Sequence, residues 1–239
     1  MHKFLLHDNI YIQNNIKGCD IKLKILELFA GTRSIGKAFE EQGHQVYSVE
    51  WDQQHKNIDL YADILTVTSE QILKDFGRPD IIWASPDCTT YSIAAISTHR
   101  HREHDGHLSP KSDKAKQSDK VNQHVLNLIK ELKPKYYFIE NPRGGMRKVS
   151  FMKDIPRYTV TYCQYGDTRM KPTDIWTNHP NPKFKPMCKN GQPCHVSAPR
   201  GSKTGTQGLK GSVLRSIIPR ELCEHIVTIS EVDINGSTS

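Results

Sequence analysis

A chain of 239 residues with 36% hydrophobic side chains can fill one good core with a small appendage, so one domain plus an excursion is expected. Six cysteines at irregular spacings, with no secretory apolar segment at the N-terminus and no apolar run of bilayer-crossing length, argue against disulfides and membrane insertion and predict a reducing, soluble compartment. The formal charge of +7 favours a polyanionic partner, nucleic acid first.

Residues 1–24 are mixed in polarity and weakly periodic, which suits an arm or short strand over the domain edge. Residues 25–29 (ILELF) read as a buried strand, Ala30-Gly31-Thr32-Arg33 as a turn, and Ser34–Glu41 as a helix stopped by Gly43. In a strand, turn and helix of this kind, backbone can approach a ligand at Gly31 while helix amides and the Ser34 hydroxyl offer hydrogen bonds. A second strand over 46–49 ends in Glu50-Trp51-Asp52, about 20 residues after the first turn, the offset at which dinucleotide-type folds place a ribose-binding acid. Glu50 is the ribose candidate, and Trp51 could lie against a purine ring. Asp63 could accept from an adenine amino group. It precedes a helix over 69–76 with a cap at Ser69, an apolar face of Ile72, Leu73 and Phe76, and a terminating Gly77. The G-x-G-x-x-G pattern is missing, so adenosine without phosphates fits better than a dinucleotide.

Ile81, Ile82 and Trp83 form a short apolar run that gives way abruptly to Ser85-Pro86-Asp87-Cys88. Cys88 is thereby presented where a strand ends, in the crevice where open α/β sheets place their chemistry, and it is a candidate nucleophile. Residues 97–120 hold His99, His101, His104 and His107 among other charges, with Gly106 and Pro110 and nothing apolar enough for core. A solvated basic loop is expected, positioned to act as a lid over Cys88. A helix is expected from Ser118, with Val121, Val125, Leu128, Ile129 and Leu132 on one face and an end before Pro134. The next buried strand, 136–139 (YYFI), runs into Glu140-Asn141-Pro142-Arg143-Gly144-Gly145, where Glu140 could donate a proton in the same crevice.

LELFAGTRSIGKAF, the acid Glu50, ASPDCTTYS and IENPRGG occur in the order seen in cytosine-5 DNA methyltransferases. The resemblance covers most of residues 25–169 and is nearest to the short stand-alone forms carried by bacteriophages. It implies an α/β fold with a doubly wound, Rossmann-like sheet binding S-adenosylmethionine through Phe29, Gly31, Thr32, Ser34, Glu50, Trp51 and Asp63, joined by Ser85 and Pro86. It further implies that Cys88 attacks C6 of cytosine, that Glu140 protonates or hydrogen-bonds N3, and that Arg169 holds the O2 side. Reagents approach both ring faces, so the base must leave the stack, with residues 97–120 closing over it. Double-stranded DNA is the implied partner of a monomeric protein in the cytoplasm of a bacterial or phage-infected host cell. Restriction–modification is a family-level expectation.

This chain departs from the family at three places. Asp87 stands between Pro86 and the nucleophile, where it would raise the thiol pKa unless it points away or a cation compensates. In Tyr165-Gly166-Asp167-Thr168-Arg169-Met170-Lys171, lysine replaces the family's second arginine. The glycine–asparagine pair usual near the C-terminus is absent.

Residues 174–177 (DIWT) can finish a strand, and residues 178–211, rich in proline, glycine, lysine and serine, fit a short recognition excursion of limited sequence specificity. Lys183, Lys185, Lys189, Arg200, Lys203 and Lys210 would mainly meet phosphates. Cys188, Cys194 and His195, with Cys163 or His179 as a fourth ligand, could bind structural zinc, but the spacing is not a standard pattern and reduced thiols are the alternative, so no metal is assigned. A helix starting at Pro219 with Leu222, Ile226 and Ile229 on its apolar face returns to the core, and residues 233–239 should fray. The expected divisions are an arm (1–24), a catalytic and cofactor-binding domain (25–177), the excursion (178–211) and the returning helix with its tail (212–239). Rival readings are a tRNA cytosine-5 methyltransferase, a catalytically inactive nucleic-acid-binding relative, and a zinc-stabilised interaction module.

Overall fold

The computed structural model describes residues 22–197 and 211–235, built around a seven-stranded sheet. The expected arm up to residue 21, the lysine and arginine candidates Arg200, Lys203 and Lys210, and the tail beyond residue 235 lie outside the described residues.

The first half alternates strand and helix: β1 (Lys24–Leu28), α1 (Ser34–Glu41), β2 (Gln45–Glu50), β3 (Leu60–Tyr61), α2 (Ser69–Asp75) and β4 (Ile81–Ala84). Gly43, at φ 83, lies just past α1 in the left-handed conformation that ends helices. The cap of α2 is not Ser69 but Thr68, whose hydroxyl accepts from the Gln71 amide at 3.2 Å. Leu73, expected on that helix's buried face, is exposed. After β4 come α3 (Ile96–His99), the hairpin strands β5 (Arg100–Arg102) and β6 (Leu108–Pro110), and α4 (Asp113–Leu132). The chain continues with β7 (Tyr136–Pro142), β8 (Arg157–Thr161), β9 (Pro172–Thr177), α5 (Ser212–Ser216) and α6 (Arg220–Asn235), so residues 233–235 extend the last helix rather than fray.

The sheet order is β3-β2-β1-β4-β7-β9-β8, parallel from β3 to β7, with β9 antiparallel to both β7 and β8. Successive residues face opposite sides of a strand, and both sides are covered. Ile25, Trp83, Phe138 and Ile175 pack with α1 and α6, whereas Leu26, Ile82, Ile139 and Trp176 pack with α2 and α4. This is the expected doubly wound, Rossmann-like α/β sheet. In α6, Leu222 and Ile226 are fully buried, each contributing about 1.5–3 kcal/mol by leaving water.

The segment 97–120 is not an open loop. Leu108 enters the core, α4 begins five residues before Ser118 under a Ser112 cap, and Arg100 is buried. Arg100 Nη1 reaches both Asp119 carboxylate oxygens at 2.7 and 2.8 Å, and its guanidinium lies 4.2 Å from the Tyr91 ring centre. A buried, fully bonded pair of this kind holds a polar segment inside the fold, and removing one partner costs about 3–5 kcal/mol.

Candidate active site

The sheet's topological switch point lies at β1, which has β2 on one side and β4 on the other. The chain leaves β1 with Phe29 at φ 56 and Gly31 at φ 50, a tight reversal that aims backbone amides into the crevice. Glu50, at the end of β2, is buried. Its Oε2 accepts from the Gly31 amide at 3.0 Å, and its Oε1 from the Trp51 and Asp52 amides at 2.9 and 3.0 Å. Beside it Trp51 is 72% exposed, a large aromatic face with no protein cover. The Thr32 and Ser34 hydroxyls lie 2.9 Å apart, and Ser34 Oγ also accepts from Ile218, so the C-terminal segment closes on the first turn. Asp63 Oδ1 accepts from Leu65 at 3.0 Å, which holds this acid at the start of a short helical turn after β3.

The turn carries no free cation suited to a pyrophosphate. Arg33 is buried, bonds Glu40 at 2.6 Å, and lies 3.9 Å from Glu27. A carboxylate anchored for hydroxyls, an open aromatic face and a glycine turn without phosphate-neutralising charge fit a nucleoside that lacks phosphates.

The second half of the site lies where β4 runs out beside Ile139, while β7 continues three residues past the expected end, to Pro142, so that Glu140 sits within the strand, paired with Ile175 of β9. Trp83 Nε1 donates to Ser85 Oγ at 2.8 Å, and the Ser85 hydroxyl favours the charged form of the Glu140 carboxyl. Asn141, fully buried, donates to the Pro86 carbonyl at 3.0 Å and pins the turn bearing Cys88 to the end of β7. Gly144 is required by that close approach, because a Cβ there would meet the Tyr91 carbonyl oxygen at 2.5 Å.

Cys88 adopts φ −91 and ψ −4, in the bridge region where many active-site residues sit. Burial pushes its thiol pKa up, Asp87 and Glu140 add to the rise, and Lys171 opposes it. Asp87 is turned towards Thr89, accepting from its amide at 3.1 Å and its hydroxyl at 2.6 Å, yet its charge still acts on the thiol. Glu140 is also raised by burial, against the pull of Lys171 and of a 3.0 Å hydrogen bond from the Tyr162 hydroxyl. Burial lowers Lys171, while Glu140 and Cys88 favour its charged form. Cys88, Glu140 and Lys171 thus form one electrostatic unit.

Arg169, expected at the cytosine O2 side, is buried with its guanidinium forked onto Asp167 and directed at the carbonyls of Leu214, Arg215 and Ile217. Lys171, two residues on, lies 4.4 Å from the Tyr162 ring centre, against 5.7 Å for Arg169. The sequence reading gave Lys171, Tyr162 and Asn141 no role. The available signal for the lysine was its place where the family has its second arginine.

In the excursion, Lys185 is paired with Glu221 at 2.9 Å and is not free for phosphate, whereas Lys183 and Lys189 are exposed. His179 bonds the Ile229 carbonyl at 3.3 Å and packs on Tyr136, away from the other candidate metal ligands, while Cys163 lies among them. No helix among the described residues is long and apolar enough to cross a membrane.

A family model described as C-5 cytosine-specific DNA methylase matches residues 23–150. A curated relative from Frog virus 3 (isolate Goorha), named "Probable DNA (cytosine-5)-methyltransferase", is 30% identical over 210 residues, covering 81% of this chain and 92% of the relative. Among solved structures, an Escherichia coli prophage protein described as a DNA modification methyltransferase matches with a TM-score of 0.50 at 20% identity, over 65% of this chain and 46% of that one. The Entamoeba histolytica methyltransferase EhMeth matches with a TM-score of 0.48 at 14% identity, over 66% of this chain and 52% of that one. This chain therefore spans about half the length of these solved structures, and at 20% identity the likeness to the prophage protein supports the fold alone.

Proposed function

This chain belongs to the C-5 cytosine-specific DNA methylase family, and from that premise we propose that it methylates C5 of a cytosine flipped out of double-stranded DNA, with Cys88 as the covalent nucleophile. The observation that carries the residue assignment is the meeting, past the end of β4, of the Cys88 thiol, the buried Glu140 carboxyl and the half-buried Lys171 ammonium, with Tyr162 donating to Glu140 at 3.0 Å and its ring centre 4.4 Å from Lys171 Nζ.

Cytosine C5 is too weak a nucleophile to take a methyl group unaided. Cys88 adds as the thiolate to C6, which makes C5 electron-rich, while Glu140, whose pKa burial pushes up, is the group that would give a proton to N3. The two groups help each other. In its protonated form Glu140 does not oppose the Cys88 thiolate, and once that thiolate has become a C6 thioether the proton can pass to N3 without setting two anions side by side, with Lys171 the favourable neighbour of whichever group carries the charge. S-adenosylmethionine, when bound, supplies the methyl group as an electrophile on a sulfonium sulfur. Phe29, Gly31, Thr32 and Ser34 shape its side of the crevice, joined by Ser85 and Pro86 at the end of β4. Glu50 would take its ribose hydroxyls, Trp51 its purine face and Asp63 its amino group. A base then removes the C5 proton, the Cys88–C6 bond breaks, and N3 returns its proton to Glu140. Both ring faces must be reached, which requires the base to leave the stack. The tip of the β5–β6 hairpin, anchored through Arg100 to the Cys88 turn, would cover it. Lys171, whose Nζ lies 4.4 Å from the Tyr162 ring centre and donates to the Arg215 carbonyl at 2.9 Å, would meet the cytosine O2 side in place of Arg169. Exposed Lys183 and Lys189 would meet phosphates from the recognition excursion.

The test is transfer of labelled methyl from S-adenosylmethionine to mixed-sequence duplex DNA with nucleoside mass analysis, alongside duplex carrying 5-fluorocytosine. We expect 5-methylcytosine from the unmodified protein and none from Cys88→Ser. Only the unmodified protein should form a denaturant-stable complex with the fluorinated duplex, which has no C5 proton to lose. Label appearing in RNA alone, or undiminished transfer by Cys88→Ser, would overturn the proposal.

A further inference from the structure

We infer that Cys163, Cys188, Cys194 and His195 form a structural zinc site that clamps the recognition excursion onto the catalytic domain. The sulfurs of Cys163, Cys188 and Cys194 and one His195 ring nitrogen all lie within 4.8 Å of one another. Cys188 Sγ is 3.2 Å from Cys194 Sγ and 3.4 Å from His195 Nδ1, and Cys194 Sγ is 3.6 Å from Cys163 Sγ and 3.7 Å from His195 Nδ1. Tetrahedral zinc with Zn–S bonds of about 2.3 Å separates its sulfur ligands by about 3.8 Å, so small adjustments would admit the ion. A Cys188–Cys194 disulfide would draw those sulfurs to about 2.05 Å and leave Cys163 and His195 without a purpose. Three soft sulfurs and an imidazole select zinc over hard cations, and four protein ligands leave no open position, which makes the role structural rather than catalytic.

The surrounding chain shows what the clamp would hold. Cys163 belongs to the helical turn Tyr162–Tyr165 that follows β8, while the other three ligands come from the excursion. That segment has little core of its own. Residues 189–193 are exposed, as are Met187 and Val196, yet Cys188 and His195 are buried at the cluster. Backbone bonds flank the ligands on both sides, from the Cys188 amide to Thr161 Oγ1 at 2.9 Å and from the Val196 amide to the Thr168 carbonyl at 2.9 Å. Thr168 immediately precedes Arg169, so zinc would fix the excursion beside the segment carrying Arg169 and Lys171. This inference is independent of methyl transfer.

The full-length protein should be purified without chelator and its metal content measured. Equimolar zinc is expected, with marked loss in Cys163→Ser and in the exposed-site variant Cys194→Ser, and full retention in Cys88→Ser. Cobalt exchanged into the site should give the visible bands of tetrahedral coordination and a thiolate-to-cobalt charge-transfer band, absent in Cys194→Ser. Chelation should expose residues 187–197 to protease while the far-ultraviolet signal of the sheet persists. Protein expressed in zinc-supplemented medium yet holding no metal, zinc content unchanged in both ligand variants, or a Cys188–Cys194 disulfide found by peptide mass analysis would each overturn the site. Cys194→Ser, exposed and at the cluster's edge, keeps the result readable if Cys163→Ser does not fold.

Discussion

Replacing Glu27 by glutamine should flatten the protein's stability between about pH 4.5 and about pH 7. Glu27 lies in the middle of β1, 2% exposed, and its Oε1 accepts from the Gly36 amide at 3.0 Å. Burial pushes its pKa from 4.5 to about 7, only partly offset by the Gly36 amide and by Arg33. The folded state thus holds the proton more tightly than the unfolded chain does. Its contribution to stability is complete below about pH 4.5 and is lost as pH rises through about 7, and the difference corresponds to about 3 kcal/mol. Glutamine keeps the acceptor for Gly36 and cannot ionise. Urea unfolding from about pH 4.5 to about pH 8 should show the unmodified protein losing about 3 kcal/mol more than Glu27→Gln across that window. Parallel curves for the two proteins would refute the reasoning, because burial would then not be holding the proton on Glu27. The outcome bears on function, since Glu27 supports α1 directly beneath the first turn, and a Cβ on Gly36 would collide with its carboxyl.

Lys171→Met removes the cation that opposes the rise of the Cys88 pKa, so the ascending limb of kcat/KM and the alkylation rate of Cys88 should both move to higher pH, with Lys171→Arg restoring them. Gly144→Ala forces the Tyr91 carbonyl away and should destabilise the fold by about 1–3 kcal/mol in urea unfolding, with a loss of methyl transfer larger than that of stability. Trp51→Ala takes away an exposed stacking face worth about 1–3 kcal/mol, so calorimetry should show donor binding weakened by about tenfold or more with the unfolding curve unchanged. Unweakened binding would move the purine elsewhere.

The first βα unit was legible because its signals are local. The apolar run of β1, the turn at Gly31 and the stop at Gly43 each act within a few residues, and α1 spans the residues the sequence indicated. Local capping rules were less decisive at α2, where Thr68 rather than its neighbour Ser69 caps the helix. The histidine-rich segment misled for a different reason. Its composition reads as solvated, but Arg100 finds Asp119 and Tyr91 and can therefore be buried. Edge strand β8 also escaped notice, because Arg157 to Tyr158 is too exposed to show an apolar pattern until β9 pairs with it.

The sequence by itself determined the parallel α/β half of the sheet, the positions of Glu50 and Cys88 past their strands, and the existence of the amphipathic helix α6, since strand and helix periodicities and turn chemistry are written along the chain, whereas the run of β7 through Glu140 and the packing of α6 on α1 came from the fold. Tertiary structure alone decided which charges act on one another. Lys171 rather than Arg169 couples to Cys88 and Glu140, and Cys163 rather than His179 joins the excursion's ligands. Both choices depend on which distant groups are brought together out of water, where charge and ligand interactions are set by partners that no local pattern specifies.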